Sequence, residues 1–241
     1  MTPPPVEAAP GRPEIARIVA PNPGPMTLQG TNTYVVRNDP AYVIDPGPPD
    51  EGHLAAVRAE AERRGGIRGV YLTHSHADHA AGVEPLGAPL LTDEANGPFQ
   101  IVPTPGHAPD HVCLLLDGAG FTGDLILGEG SSYVPPDGGS LAAYLDSLRR
   151  VGELDLALLC PGHGPWVTDP GAKIAEYIDH RLDRERKLVA ALDRGERSRA
   201  RLLDAAWDDV PAELRPAAAQ AMQAHLEKLE SEGRLPTDLR D

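Results

Sequence analysis

The sequence predicts an α/β protein whose sheets are covered by helices, followed by a smaller helical domain. Short apolar runs recur through the first two thirds of the chain, amphipathic helical patterns lie between them, and the last third is helical throughout. Several histidines and aspartates stand where apolar runs end, which is where a rigid sheet presents functional side chains.

Seven apolar runs rich in β-branched residues are predicted as strands. Clusters such as NPGP, DPGPPD, TPGHAPD and PPDGG separate them, as loops between strands do. The start of the chain, residues 1–13, is predicted to be a proline-rich tail and not a signal peptide, because it has no apolar segment. The predicted strands are, in order, EIARIVA, TYVV, AYVID, GVYLTH, FQIVPT, HVCLLL and LALLC.

Helices are predicted between the strands and throughout the last third. Asp50 can cap a helix that runs through EGHLAAVRAEAERR to Gly65, and Ser140 can cap a second one. From about residue 172 a long amphipathic helix, IAEYIDHRLDRERKLVAALDRG, precedes two shorter helices that begin near Ser198 and Pro211. Their apolar faces could form a separate core, so we expect a main domain over 14–180 and a helical domain over 181–241.

The negative net charge of the chain disfavours anionic binding partners. The formal net charge is −14, with 9 basic against 21 acidic residues up to position 172 and 13 against 15 beyond it. We therefore expect no binding to an anionic membrane surface, and duplex DNA is an unfavourable partner. No apolar run approaches the roughly 20 residues of a membrane span. Cys113 and Cys160 lie in apolar runs, which favours two buried free thiols in a reducing cytoplasm over a disulfide.

The densest chemical signal is THSHADH at residues 73–79, with three histidines and one aspartate in six positions. Along extended chain alternate residues share a face, so His74 and His76 can point to one position while Asp78 and His79 face a neighbouring one. Two groups of ligands suggest two metal ions. Imidazole and carboxylate without thiolate favour Zn²⁺, with Mn²⁺ or Fe²⁺ as alternatives.

Two metal sites need more than four ligands, and three further candidates follow along the chain. His107 lies in TPGHAPDH, Asp124 in FTGD and His163 in CPGHGP, each after or beside an apolar run. A glycine precedes each of them, as a tight turn that brings backbone close to a metal requires. The seven candidate ligands are His74, His76, Asp78, His79, His107, Asp124 and His163.

Other polar residues are candidates for substrate contacts. Thr31 and Asn32 lie in GTNTY, which is either a substrate-side loop or an ordinary hairpin turn. His111 and His180 are not predicted to be ligands, although both could touch substrate. Isolated histidines such as His53 are predicted to be surface residues.

The motif set resembles the metallo-β-lactamase superfamily, and Asp45 in VIDPGP matches the first, structural, aspartate of its motifs. The resemblance covers about residues 15–172 and implies a four-layer αββα sandwich with a dinuclear site at the sandwich edge. It also implies how the ligands divide. The first metal would be held by His74, His76 and His107, the second by Asp78, His79 and His163, and Asp124 would bridge the two.

A finer resemblance is to the β-lactamase-like protein 2 family, carried by LQGTNTYVV, TPGHAPDH, FTGDLILGEGSS, CPGHGP and AKIAEYIDHR. Members carry a small winged-helix domain after the lactamase domain, which implies a winged helix over 181–241. The family includes a single-strand-specific endoribonuclease, and near relatives in fungal pathways are thioesterases. Only 28 positions separate His79 from His107, shorter than is usual, so a strand or helix bordering the active-site entrance is predicted to be missing.

The predicted activity is hydrolysis without a protein nucleophile. Two Zn²⁺ ions about 3.5–4 Å apart could share a bridging hydroxide that attacks an electrophile near neutral pH. Asp124 would set the spacing of the metals, while Asp78 would orient the nucleophile and then carry a proton. These two aspartates are the predicted catalytic residues.

Three substrate hypotheses follow from the sequence. Single-stranded RNA is suggested by the family resemblance and by eight basic residues between Arg181 and Arg201, although interleaved acids make a solvated, ion-paired helix an equal interpretation. The low aromatic fraction of 4% leaves few stacking platforms for single strands. A small ester, thioester or lactone is the alternative. A metal-sensing DNA-binding regulator is the third hypothesis, which the acidic charge disfavours.

Overall fold

The computed structural model describes residues 4–37, 39–136 and 138–239. The chain divides into two compact units. The first consists of Met1–Thr104, Asp110–Ser132 and Leu154–Pro170, and the second of Pro105–Pro109, Tyr133–Glu153 and Gly171–Asp241. Among the described residues, no helix has the length and apolar character that crossing a membrane would need.

Two β-sheets build the first unit. The five-stranded sheet is antiparallel from β1 to β4, and β5 then joins β4 in parallel. In the four-stranded sheet only β8 and β9 are parallel. The strands of the first sheet are β1 Val6–Ala9, β2 Arg12–Val19, β3 Asn32–Val36, β4 Ala41–Ile44 and β5 Ile67–Tyr71. Those of the second are β6 Gln100–Pro103, β7 Val112–Leu116, β8 Ala119–Gly123 and β9 Leu158–Pro161.

An apolar core lies between the two sheets. Both phenylalanines of the chain are buried in it: Phe121 packs edge-on against Tyr34 at 5.2 Å between ring centroids, and Phe99 against Tyr71 at 5.1 Å. Such aromatic pairs contribute about 0.5–1.5 kcal/mol beyond the area they bury. The few aromatic side chains are thus concentrated where they fix one sheet against the other.

The parallel crossover from β4 to β5 is made by helix α1, Glu51–Glu62. Its cap is the predicted one, since the Asp50 carboxylate accepts a hydrogen bond from the His53 backbone N–H at 2.8 Å. Leu54 and Val57 pack on the outer face of the first sheet. Two short helices follow β5: α2, Ala77–Ala80, and α3, Val83–Leu86.

The second unit contains four longer helices and an apolar core of its own, as predicted. Leu188, Leu202, Trp207 and Leu226 are buried in that core. Ser140 caps the first of the helices by accepting from the Ala143 N–H at 3.3 Å. The helices are α4 Leu141–Gly152, α5 Pro170–Asp193, α6 Arg199–Ala206 and α7 Arg215–Ser231.

The structure corrects one prediction about the organisation of the chain. Residues 6–13 are not a tail, because β1 pairs with β2 across a turn at Gly11, whose φ of 68° suits glycine, and Ala9 is buried. The second compact unit takes in 105–109 and 133–153 from the middle of the chain, and the domain boundary at residue 180 stays a prediction. Residues 1–3 of the predicted tail lie outside the described part.

Candidate metal centre

Four of the seven candidate ligands follow strand ends of the first unit within a few residues. His74, His76 and the start of α2 come directly after β5, while Asp124 follows β8 and His163 follows β9 by two residues. In each case a buried strand fixes the backbone from which the ligand projects. The predicted placement at the ends of strands is confirmed for these residues.

Asp78, His79, Asp124 and His163 surround one position. Nε2 of His79 lies 3.6 Å from Oδ2 of Asp78 and 3.4 Å from Oδ1 of Asp124. Nε2 of His163 lies 3.3 Å from Oδ2 of Asp78 and 3.4 Å from Oδ1 of Asp124. Ligand atoms about 2.0–2.1 Å from a tetrahedral zinc ion are roughly 3.3 Å apart, so these four separations are those expected between neighbouring ligands of one ion.

The tautomers of these histidines also suit metal binding. Nδ1–H of His79 donates to Oδ2 of Asp45 at 2.9 Å, and Nδ1–H of His163 donates to the Gly30 carbonyl at 3.2 Å. Both Nε2 atoms are buried and make no hydrogen bond to any described residue. A buried nitrogen acceptor without a hydrogen bond is costly unless a cation satisfies it, and metal-binding histidines use this pattern.

Asp45 is the structural partner of this centre. It lies just after β4, is buried, and accepts hydrogen bonds from the Thr73 backbone N–H at 2.8 Å and from the Thr73 hydroxyl at 2.7 Å, besides the one from His79. One carboxylate thus fixes both the start of the ligand loop and the orientation of a ligand. Thr73 was not among the predicted site residues, although its position between β5 and His74 indicated that it lies at the start of the ligand loop.

A second group of side chains begins at His74, which is buried. Its Nε2 lies 3.0 Å from Nδ1 of His76, and one ligand atom each of His74, His79 and Asp124 lie within 4.8 Å of one another. His107 belongs to the second compact unit, where its Nδ1–H donates to the Tyr133 carbonyl at 2.7 Å. A backbone carbonyl on Nδ1 gives the tautomer that presents Nε2 to a metal.

Neighbouring charges set the pKa values of this centre. Burial alone would lower the pKa of His79, but the carboxylates of Asp124 and Asp45 outweigh burial and raise that pKa well above its ordinary value. At His163 burial is likewise outweighed, by Asp124 and Asp78, which raise its pKa to about 9. Burial would raise the pKa of both Asp124 and Asp78, but the two imidazoles hold these pKa values below the ordinary range. These raised pKa values favour protonation of the two imidazoles beside ionised carboxylates in the metal-free protein.

Glycine is required beside two of the ligands. A Cβ on Gly162 would lie 2.6 Å from Cε1 of His79 and 2.7 Å from Oδ1 of Asp124. A Cβ on Gly123, whose φ is 46°, would lie 2.3 Å from Oγ1 of Thr73. The prediction that these glycines let backbone approach the centre is confirmed at both positions.

The candidate substrate residues of the first unit are buried and hydrogen bonded. Thr31 forms an isolated antiparallel bridge with His163, and the Asn32 amide donates to the carbonyls of Pro161 and Gly164, both at 2.9 Å. These contacts hold the loop of His163 in place, a role that was not predicted for GTNTY.

His53, which was predicted to be a surface residue, is buried, and its Nε2 lies 2.8 Å from the Thr33 hydroxyl. That prediction was wrong.

His111 lies behind His74 and not at an open surface. It is buried, its ring centroid is 5.1 Å from that of His74, and its Nδ1 is 2.9 Å from Oγ1 of Thr104. His180 and Arg181 lie in the second unit on α5. Arg181 is buried, and its guanidinium packs 5.4 Å from the centroid of the Tyr144 ring. His180 is exposed. Their predicted contact with substrate stays a prediction.

Comparisons with known proteins agree with this geometry. A family model described as "Metallo-beta-lactamase superfamily" matches residues 26–88 and 90–163, and one described as "Beta-lactamase associated winged helix domain" matches 200–236. The crystal structure of a metallo-β-lactamase family protein from Thermus thermophilus is similar with a TM-score of 0.72 and 22% identity, over 92% of this chain and 94% of that one. The predicted two-sheet α/β fold with a C-terminal winged helix is confirmed.

Three curated relatives are similar in sequence. "Lactamase-like protein adaB" of Aspergillus niger is 39% identical, and "Atrochrysone carboxyl ACP thioesterase" of Aspergillus chevalieri is 38% identical. The alignments cover 78% and 75% of this chain, which spans 66% of the length of each fungal relative. "Beta-lactamase-like protein 2 homolog" of Drosophila melanogaster is 30% identical, over 92% of this chain and 89% of that protein.

Proposed function

The chain belongs to the metallo-β-lactamase superfamily and is a hydrolase of that fold, and from this premise we propose that it is a dinuclear metalloenzyme acting on a carboxylic ester or thioester. The observation that carries the proposal is the set of four ligand atoms of Asp78, His79, Asp124 and His163, whose separations of 3.3–3.6 Å match the edges of a tetrahedral site.

We assign two metal positions. Asp78, His79 and His163 would hold one ion and His74, His76 and His107 the other, with Asp124 between them. Zn²⁺ is the proposed metal because the donors are imidazole and carboxylate without thiolate, and Mn²⁺ or Fe²⁺ suit the same donors. When bound, the ions would polarise the substrate carbonyl and lower the pKa of a water molecule so that it attacks near neutral pH.

The protein's own groups would handle the proton. Asp78 has a lowered pKa and is therefore ionised at neutral pH, and its side chain is 32% exposed against 12% for Asp124. The more accessible carboxylate is the one that can accept a proton from the attacking water and return it to the leaving group. Asp124, enclosed between His79 and His163, would hold the two metal positions together.

An acyl substrate suits this chain better than RNA does. The Aspergillus chevalieri relative is named a thioesterase, whereas several of the arginines that suggested an RNA track are paired with carboxylates of the second unit. Arg184 is buried and binds both carboxylate oxygens of Asp209, at 2.6 and 3.0 Å. Further pairs there are Arg197 with Asp238 and Arg201 with Glu196. A DNA-binding regulator is disfavoured for the same reason, together with the net charge of −14.

The proposal is tested by changing the bridging carboxylate. Asp124→Asn should reduce hydrolysis of a neutral thioester such as acetyl-N-acetylcysteamine by more than the roughly 10–100-fold that loss of a partner outside the ligand set costs. Mass spectrometry of the metal content should show two equivalents in the wild type after Zn²⁺ supplementation and fewer in the variant.

The matched control is Asp117→Asn, which changes a carboxylate that is 69% exposed in the β7–β8 turn. It should leave metal content and turnover unchanged. Less than one equivalent of metal in the supplemented wild type, or wild-type turnover in Asp124→Asn, would sink the dinuclear mechanism.

A further inference from the structure

An apolar cleft opens on the first unit beside the ligand loop. It has a volume of about 350 Å³, and its apolar lining consists of Leu72, Leu90, Leu91, Ile101, Val112 and Leu114. Leu91, Ile101 and Val112 also pack against the core between the sheets, so the floor of the cleft is a fixed part of the fold. Leu90 is 47% exposed and stands at its open side.

The short chain segment between His79 and His107 borders this cleft. The strand or helix predicted to be missing would fall here: after α3 the chain makes an isolated parallel bridge from Leu90 to Val70 of β5, and β6 begins at Gln100, fourteen positions after the end of α3. The short helix Glu94–Asn96 lies in this segment, and the Glu94 carboxylate accepts a hydrogen bond from the Ile101 N–H at 2.7 Å. Leu90 and Leu91 of the segment line the cleft.

The cleft borders the candidate metal centre at His74, which lines the cleft together with Ser75. His74 is also the buried histidine whose Nε2 meets Nδ1 of His76. The Val112 N–H donates to the Thr73 carbonyl at 2.7 Å, which ties the start of β7 to the ligand loop at this point. In the part of the chain that the structure describes, His74 is thus the one candidate ligand that lines the cleft, and its side chain lies between the cleft and His76.

The side chains that line the cleft indicate which class of ligand it can bind. Among the described residues that line it, the one charged side chain is that of Asp110, and no cation is present to receive a phosphate. The volume lies near the small end of the roughly 300–1,000 Å³ of ligand pockets, which suits one aliphatic chain or one ring system. We propose that this cleft binds the acyl chain of the substrate. The inference rests on the proposed function, which it deepens by naming a medium-length apolar acyl group.

The test is a series of N-acetylcysteamine thioesters from acetyl to decanoyl. In the wild type kcat/KM should rise by about threefold to fourfold per methylene that enters the cleft, and level off when the cleft is full. Leu90→Asp should remove this rise while leaving acetyl hydrolysis within about twofold, because the change is partly exposed and remote from the ligands. Leu90→Trp should fill the cleft and shift the best chain length downward.

Leu214→Asp is the matched control, since Leu214 is also an exposed leucine, at 55%, and lies in the second unit. It should keep the wild-type dependence on chain length. Binding of octan-1-ol, measured by calorimetry, gives a readout that needs no turnover, and Leu90→Asp should weaken it about tenfold relative to Leu214→Asp.

The outcomes separate this inference from the proposed function. Thioester hydrolysis without any chain-length dependence would overturn the acyl cleft and leave the hydrolase intact. Octan-1-ol binding that depends on Leu90, with no thioester hydrolysis, would support an apolar site and overturn the proposed function. If the wild type is a dimer by analytical ultracentrifugation and Leu90→Asp converts it to a monomer, the cleft is an interface and the inference falls.

Discussion

At the scale of single residues, Asp45 determines how the metal centre is held. Its one carboxylate accepts from Thr73 twice and from Nδ1 of His79 once, and it is buried. A ligand whose second nitrogen is fixed in this way has one tautomer and one ring orientation. In the proposed centre, metal affinity should therefore depend on Asp45, which is not among the proposed ligands.

Asp45→Asn tests this dependence. The amide keeps the size of the carboxylate but removes its charge and one acceptor, so metal affinity should fall by about 10–100-fold. Competition with a chromophoric chelator measures it. Asp50→Asn is the control, because asparagine caps a helix as well as aspartate does and α1 should be unaffected. Equal affinity in both variants would contradict the role of Asp45.

The raised pKa values of His79 and His163 predict how the metal-free protein responds to pH. A histidine whose pKa is higher when folded contributes stability below its unfolded value of 6.5, and that stability is lost as pH rises through the folded value, about 9 for His163. The free energy of unfolding of metal-free protein should fall between about pH 6.5 and 9. Urea denaturation of metal-free and Zn²⁺-loaded protein measures it.

Metal binding should release protons for the same reason. The raised pKa values predict that His79 and His163 are both protonated at pH 7.5 in the metal-free protein, so a metal ion should displace a proton from Nε2 of each. Calorimetry in buffers of different ionisation enthalpy should count about two protons for the ion held by these residues. A flat stability profile together with no proton release would show that the imidazoles are neutral before the metal binds.

At the scale of secondary-structure elements, the regular strands could be predicted and two irregular ones could not. The seven predicted runs all contain strands, because β-branched residues bounded by glycine and proline leave few other options. β8 was missed because AGFTG carries two glycines, although every residue of it is buried in the middle of the second sheet. β1 was missed because it follows a proline-rich stretch.

The residues of the candidate metal centre could be predicted from the sequence, but the residues that hold them in place could not. Ligand residue types and their spacing are visible in THSHADH, but the hydrogen bonds that position them come from residues distant in the chain, such as Asp45 and Gly30. Asn32 is 129 positions from the Pro161 carbonyl to which it donates. Only the folded sheet brings such partners together, which is why the sequence left GTNTY open between a substrate-side loop and an ordinary hairpin turn.

Gly162→Ala tests the close approach of two elements at the end of β9. The new Cβ would meet His79 and Asp124 at 2.6–2.7 Å, and neither ligand can move without leaving the metal position. We expect loss of one metal equivalent with little loss of secondary structure. Metal analysis and circular dichroism measure the two. Gly52→Ala on α1, where a Cβ meets only Oδ1 of Asp50 at 3.3 Å, should keep both metals.

At the scale of the whole molecule, charge separates the acyl substrate from RNA. A chain with a net charge of −14 gathers phosphates only if unpaired cations stand together, and in the described part of the second unit most arginines have carboxylate partners. RNA cleavage that depended on phosphate contacts would weaken steeply with salt. Hydrolysis of a neutral thioester should instead give kcat/KM values that hardly change between low and moderate salt concentration.

Substitutions of Arg184 and Arg186, both on α5, test whether the arginines of this helix support the fold or bind substrate. Arg184 is buried, donates to the Ala206 carbonyl at 2.7 Å and pairs with Asp209, whereas the side chain of Arg186 is 72% exposed. Arg184→Ala should lower the free energy of unfolding by about 1.5–3 kcal/mol, because the Ala206 carbonyl and the Asp209 carboxylate lose a charged hydrogen-bond donor. Arg186→Ala should change it by less than about 0.5 kcal/mol. Neither variant should alter the salt dependence or kcat/KM of thioester hydrolysis at a temperature where both are folded.

A different result would contradict the proposed acyl substrate. If Arg186→Ala abolished cleavage of single-stranded RNA while thioester hydrolysis stayed negligible in the wild type, the exposed face of α5 would be a phosphate-binding surface and the proposal of an acyl substrate would be wrong.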